Sequence, residues 1–193
     1  MKVLLIDHED SFVYNLYQNL RVLGATVECV RYTEPVRRSV RWDPDAIVLS
    51  PGPGHPKDRK VTGHARRLLA RWRTERPFLG VCLGHQLIGE FYGGRVGRAD
   101  SPVHGATVEI EHADVPLFRH VPVTFRGARY HSLIVKRKGL PAELLVTATT
   151  RQRTIMALDH RSDPVHGVQF HPESYLTHVG PQILRNFLEE TRR

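Results

Sequence analysis

Residues 79–86 read LGVCLGHQ and place Cys82, one of two cysteines in the chain, between Gly80 and Gly84 in a G-x-C-x-G spacing. An apolar run, PFLGV, leads into the stretch and a helical pattern follows it. A nucleophile on a strand-to-helix turn needs small neighbours, because the turn is strained and the side chain must project from the sheet edge. Cysteine suits that place. A helix N-terminus favours a thiolate, and the next backbone N–H is free to meet an oxyanion. The same spacing also fits a buried thiol whose glycines only pack a helix closely, and on these residues alone both readings stand. Cys29, in TVECVRY, has the surroundings of an ordinary strand thiol.

Two other turns carry residues of matching chemistry. SPGPGHP, residues 50–56, follows the apolar run DAIVLS, and its alternating prolines and glycines form a stiff turn that lets backbone N–H groups approach a ligand closely. It stands at the C-terminal end of an expected strand, the edge where open parallel sheets bind ligands. VQFHPES, residues 168–174, again follows an apolar strand and sets His171 and Glu173 two apart around Pro172. A histidine near a cysteine takes and returns its proton, and a carboxylate near the histidine fixes its tautomer. Cys82, His171 and Glu173 would then form a triad defined by roles rather than by chain order. Each turn alone also reads as a plain polar turn; the three together are far more specific.

The elements that must position these turns follow a strand–helix alternation in the first half. KVLLI leads into DSFVYNLYQNLRVLG, where Phe12, Leu16, Leu20 and Leu23 recur at helical spacing and Gly24 stands where a helix-ending glycine would. TVECVRY, DAIVLS, a helix over about 61–74, PFLGV and GHQLIGEFYGG continue the pattern, which implies a parallel sheet covered by helices on both faces. From about residue 95 strand-like segments dominate: ATVEIEH, PVTFRGARY, HSLIVKR, ELLVTATT and RTIMALD. HGVQF is a last buried strand, and GPQILRNFLEETRR a closing amphipathic helix with Ile183, Leu184, Phe187 and Leu188 inward. The expectation is an α/β fold in one domain over 1–193, with a mostly parallel central sheet flanked by helices and an added antiparallel region in the second half.

Bulk properties narrow the function classes. Hydrophobic residues make up 40% of the 193, enough for a well-buried domain, and no stretch approaches a membrane span or a signal-peptide core. A cytoplasmic protein is expected, without membrane attachment. Two cysteines cannot make a disulfide framework. The net charge of +8 raises nucleic acid or an acidic partner, yet the densest runs, RYTEPVRRSVRW and RRLLARWRTER, read as solvated faces, so nucleic-acid binding is not expected. The 12 histidines include no H-E-x-x-H and no paired C-x-x-C, so no metal site is expected.

GVCLGHQ, SPGPGHP and VQFHPES, in this order and spacing, closely resemble the class I glutamine amidotransferases, and the likeness runs from end to end. Within that family IDHEDSFVYNL, RYHSL and HPESYLTHVGPQILRNFL look like the glutaminase subunits that serve anthranilate synthase and aminodeoxychorismate synthase. The resemblance implies that Cys82 attacks the side-chain amide of L-glutamine to give a glutamyl thioester and ammonia, with His171 as general base and acid and Glu173 orienting it. It also implies an oxyanion hole from the backbone N–H groups of Gly54 and Leu83, and glutamine binding by Gln86, the backbone of Ser132 and Leu133, and Gly52. Ammonia would pass to a separate chorismate-binding synthase subunit, with no cofactor in this chain and magnesium in the partner. His8 and Glu9, where the family has IDNYDSF, and Ala106, where a lysine is usual, depart from the pattern and bear on partner contact more than on chemistry. Two rival readings remain: a non-catalytic subunit that keeps the fold, and a stand-alone cysteine hydrolase acting on glutamyl peptides.

Overall fold

The computed structural model describes residues 1–190, and the side chains of all of these but 100–106. Its strands are β1 (Lys2–Asp7), β2 (Thr26–Arg31), β3 (Ala46–Leu49), β4 (Phe78–Val81), β5 (Arg95–His112), β6 (Thr124–Lys136), β7 (Leu144–Thr150), β8 (Ile155–His160) and β9 (Val165–Val168). Its helices are α1 (Val13–Val22), α2 (Val36–Trp42), α3 (Arg59–Trp72), α4 (Leu83–Phe91) and α5 (Gly180–Glu190). All nine strands share one sheet in the order β2-β1-β3-β4-β9-β8-β7-β5-β6. From β2 to β9 the pairing is parallel, and from β9 to β6 antiparallel. This is the mixed α/β architecture read from the alternation of patterns.

The parallel half is apolar on both faces, as the uninterrupted runs require. Leu4 and Ile6 face one helical layer with Leu68, Leu69 and Leu87, whereas Val3 and Leu5 face the other with Leu16, Ile183 and Phe187. α1 ends at a Gly24 with φ +91°, as its position suggested. β9 closes the parallel half beside β4, so the segments ending in Cys82 and His171 become neighbours although 89 residues apart in number.

Three features differ from the patterns. α2 lies inside RYTEPVRRSVRW, where arginines obscure a short apolar face; only Ser39 is fully buried, with Val36, Val40 and Trp42 partly so. PVTFRGARY and HSLIVKR join into one 13-residue strand, β6, because Tyr130 and His131 stay extended and pair with His104 and Val103 of β5. ATVEIEH is the end of the 18-residue β5, whose pairing with β6 is interrupted by shifts between Arg98 and Val103 and between His104 and Ala106. The side chain of Ala106 and residues 191–193 of the closing helix pattern lie outside the described residues.

Candidate active site

Cys82 sits at the N-cap of α4 with φ 52° and ψ −98°, a conformation that costs a non-glycine residue on the order of 1–3 kcal/mol and persists only where its surroundings enforce it. The enforcement is visible. The Cys82 N–H donates to the Val168 carbonyl (2.9 Å) and its carbonyl accepts from the Gln86 N–H (3.0 Å), tying the turn to β9 and to the first turn of α4. A Cβ on Gly80 would meet Ile88 Cδ1 at 2.6 Å, and one on Gly84 would meet Leu49 Cβ at 2.8 Å, so both glycines are required for α4 to seat on β3 and β4. Cys82 is not sealed in the core; it is 8% exposed and opens on a cleft.

That cleft, of about 170 Å³, brings together Gly52, Gly54, Cys82, Leu83, Gln86, Ser132 and Leu133, all expected from sequence, with Pro53, Tyr130 and His131 completing its walls. Gly52 and Gly54 serve different needs. A Cβ on Gly52 would lie 2.5 Å from His8 Cβ and 3.0 Å from Leu83 Cδ2, so its smallness allows packing, whereas Gly54 has open space but a φ of +96°. Buried Gln86 donates to the Leu133 carbonyl (2.9 Å) and to Gln169 Oε1 (3.2 Å), holding α4 to β6 across the cleft.

His171 and Glu173 are not among the residues lining the cleft, and His171 neighbours Cys82. His171 Nδ1 and Glu173 Oε1 are 2.6 Å apart, both side chains almost wholly buried. With Nδ1 donating to the carboxylate, Nε2 is the ring position left without a hydrogen bond. Burial by itself would lower the His171 pKa; the neighbouring Cys82 and Glu173 override it and raise it well above the ordinary value. Tyr130 meets the imidazole edge-on at 5.0 Å and Phe12 does so at 6.0 Å, closing its flanks against water. These two aromatics were missed as site residues. Phe12 looked like a core position of α1, and Tyr130 belonged to a motif of which only the following serine and leucine were singled out.

Of the three departures from the expected pattern, His8 lies against this site. His8 is fully buried under the 50–56 turn, its Nδ1 3.2 Å from both the carbonyl and the hydroxyl of Ser50, and burial lowers its pKa to about 4. Glu9 takes φ 62° at the surface beside Arg31. Among the described residues no cluster of three or more potential ligands could hold a metal, and no helix is long and apolar enough to cross a membrane.

A strained cysteine turn at the C-terminal end of a parallel strand, opening on a cleft and accompanied by a buried histidine–carboxylate pair, has the geometry that acyl-transfer chemistry requires. The chain belongs to the class-I glutamine amidotransferase family, whose sequence profile matches residues 4–191. It is 46% identical to anthranilate synthase component 2 of Methanothermobacter thermautotrophicus, over 96% of this chain and 97% of that one. It is 47% identical to anthranilate synthase component 2 of Azospirillum brasilense, over 99% and 97%. It is 41% identical to the aminodeoxychorismate/anthranilate synthase component 2 of Bacillus subtilis, over 99% and 97%. The fold matches that of a glutamine amidotransferase from Thermotoga maritima at a TM-score of 0.79 and 19% identity, covering 99% of this chain and 97% of that one.

Proposed function

We propose that the chain is the glutaminase subunit of a chorismate-using synthase, hydrolysing L-glutamine at Cys82 and delivering the ammonia to a separate synthase subunit. The observation that carries this reading is the buried His171–Glu173 pair, 2.6 Å long, beside a strained cysteine that opens on the same cleft as the Pro-Gly turn. The Cys82 sulfur attacks the side-chain carbonyl carbon of glutamine as His171 Nε2 takes the thiol proton. Oxyanion charge then falls between the backbone N–H groups of Leu83, in the first turn of α4, and Gly54, where each donor contributes on the order of 3 kcal/mol. His171 returns the proton to the departing nitrogen, releasing ammonia and leaving a glutamyl thioester, which a water activated by the same imidazole cleaves to glutamate.

Gln86, Gly52 and the backbone of Ser132 and Leu133 are the binding groups of this proposal. The names of the 41–47% identical relatives support a chorismate-binding partner that makes anthranilate or 4-amino-4-deoxychorismate. Magnesium would belong to that partner, and this chain would carry no cofactor and work in the cytoplasm. The test is to purify the tagged chain from its own cells with its partner and supply chorismate, magnesium and glutamine labelled with nitrogen-15 in the amide. Label in anthranilate or aminodeoxychorismate, lost in Cys82→Ala while ammonia-dependent amination survives, is the expected result. Equal loss of both activities in that variant would overturn the division of labour.

A further inference from the structure

The 50–58 turn has no secondary structure of its own, and its two halves are held differently. The first half is packed: Gly52 lies against His8 and Leu83, and the Ser50 hydroxyl accepts from the His8 N–H (2.9 Å). The second half, which contains Gly54, is tied down from α3. The Pro56 carbonyl accepts from Arg66 Nη2 at 3.0 Å and lies 3.1 Å from the Thr62 hydroxyl, and Arg66 Nε donates to that hydroxyl at 3.3 Å. Arg66 is 7% exposed and Thr62 fully buried. A guanidinium so deeply placed needs a counter-charge, and it has one in Glu90, with which it forms an ion pair. Glu90 belongs to the last turn of α4, the helix whose first turn follows Cys82.

We infer that Arg66 is a positioning residue for the oxyanion turn, tying the Gly54 half of that turn to the nucleophile's own helix through Pro56 on one side and Glu90 on the other. The inference rests on the glutaminase reading above. It explains why an arginine, rather than an apolar residue, occupies the inward face of α3 among Ala65, Leu68 and Leu69. The planar guanidinium, with five donors in a fixed array, can bond a carbonyl, a hydroxyl and a carboxylate at once without reorienting. Its effect is on where the Gly54 N–H stands relative to Cys82, a separation on which transition-state stabilisation depends and ground-state binding of glutamine depends little.

The test compares Arg66→Met, Arg66→Lys and Thr62→Val in the full chain bound to its synthase partner, with Cys82→Ala as control. Arg66→Met should lower kcat for glutamine about tenfold to a hundredfold with KM changed less than about threefold, since a donor is displaced rather than deleted. The rate of Cys82 alkylation by iodoacetamide, a displacement that forms no oxyanion, should stay within about twofold of wild type. Arg66→Lys should recover part of kcat, and Thr62→Val should show a smaller loss of the same kind. A kcat unchanged in Arg66→Met, a loss shared equally by alkylation, or no difference between the lysine and methionine variants overturns the inference. Should Arg66→Met fail to fold, Thr62→Val decides by the same split between kcat and alkylation. If the wild-type complex does not hydrolyse glutamine, or hydrolysis survives in Cys82→Ala, the reading of a glutaminase acting through Cys82 fails; if hydrolysis is abolished in Cys82→Ala and unaffected in the Arg66 and Thr62 variants, only the positioning role does.

Discussion

His85 makes the acid sensitivity of this fold measurable. It lies in the first turn of α4, fully buried, with its ring against the Gly167 backbone. Burial lowers its pKa to about 4, the Gly167 backbone offsetting part of the effect. In the unfolded chain the same ring titrates near 6.5, so as pH falls from about 6.5 to about 4 the unfolded state takes up a proton that the folded state refuses. Stability from this group is therefore fully present above the unfolded value and is lost as pH falls through that window. The loss amounts to about 2 kcal/mol near pH 5 and approaches roughly 3.4 kcal/mol at the acid limit. His8, lowered to about 4, and His131, lowered to about 3, act in the same direction. His166, raised to about 10 with Asp159 and Glu190 outweighing its burial, has the opposite sign but is protonated in both states below about 6.5, so it adds no slope there. Urea unfolding of wild type and His85→Leu near pH 7 and near pH 5 tests this, because the leucine cannot titrate. The variant should lose about 2 kcal/mol less than wild type between the two conditions, whatever its stability at neutral pH. Equal losses in the two proteins would refute the reasoning, since a proton on His85 would then cost the fold nothing.

The backbone at Cys82, with φ 52°, suits glycine better than alanine, so Cys82→Gly should be more stable than Cys82→Ala by about 1 kcal/mol in denaturant titration, and both should be inactive toward glutamine. Glu173→Gln should reduce glutamine turnover less than Cys82→Ala does, because orienting His171 is a smaller contribution than supplying the nucleophile; similar residual rates would count against that role. Gly180→Ala would drive its new Cβ into the Pro172 carbonyl, between His171 and Glu173 in sequence, and should cost about 1–3 kcal/mol along with most of the glutaminase rate. An active, fully stable Gly180→Ala protein would show that the closing helix does not hold the His-Pro-Glu segment.

The chemistry-bearing turns were legible because their residue types are dictated locally: a positive φ, a close helix–strand contact or a pre-set proline turn each restricts which amino acids fit. The uninterrupted apolar runs of β1, β3 and β4 likewise announced a sheet buried on both faces, and the i, i+4 repeats of α1, α3 and α5 announced the helices over it. α2 escaped because a seven-residue helix with Arg37, Arg38 and Arg41 on its open side has too little apolar face to produce a period. Phe12 and Tyr130 escaped as site residues because their value lies in standing beside His171, and no spacing along the chain encodes that.

By itself, then, the sequence determined which residues could be a nucleophile, a base and an orienting acid, since those capacities belong to single side chains and their immediate backbone. Only the tertiary structure decided that β9 lies beside β4, which brings Cys82 and His171 together, and that Arg66 of α3 meets both Pro56 and Glu90. Those proximities come from sheet order and helix packing, which sum many weak apolar contacts across the whole chain and leave no mark at any one position.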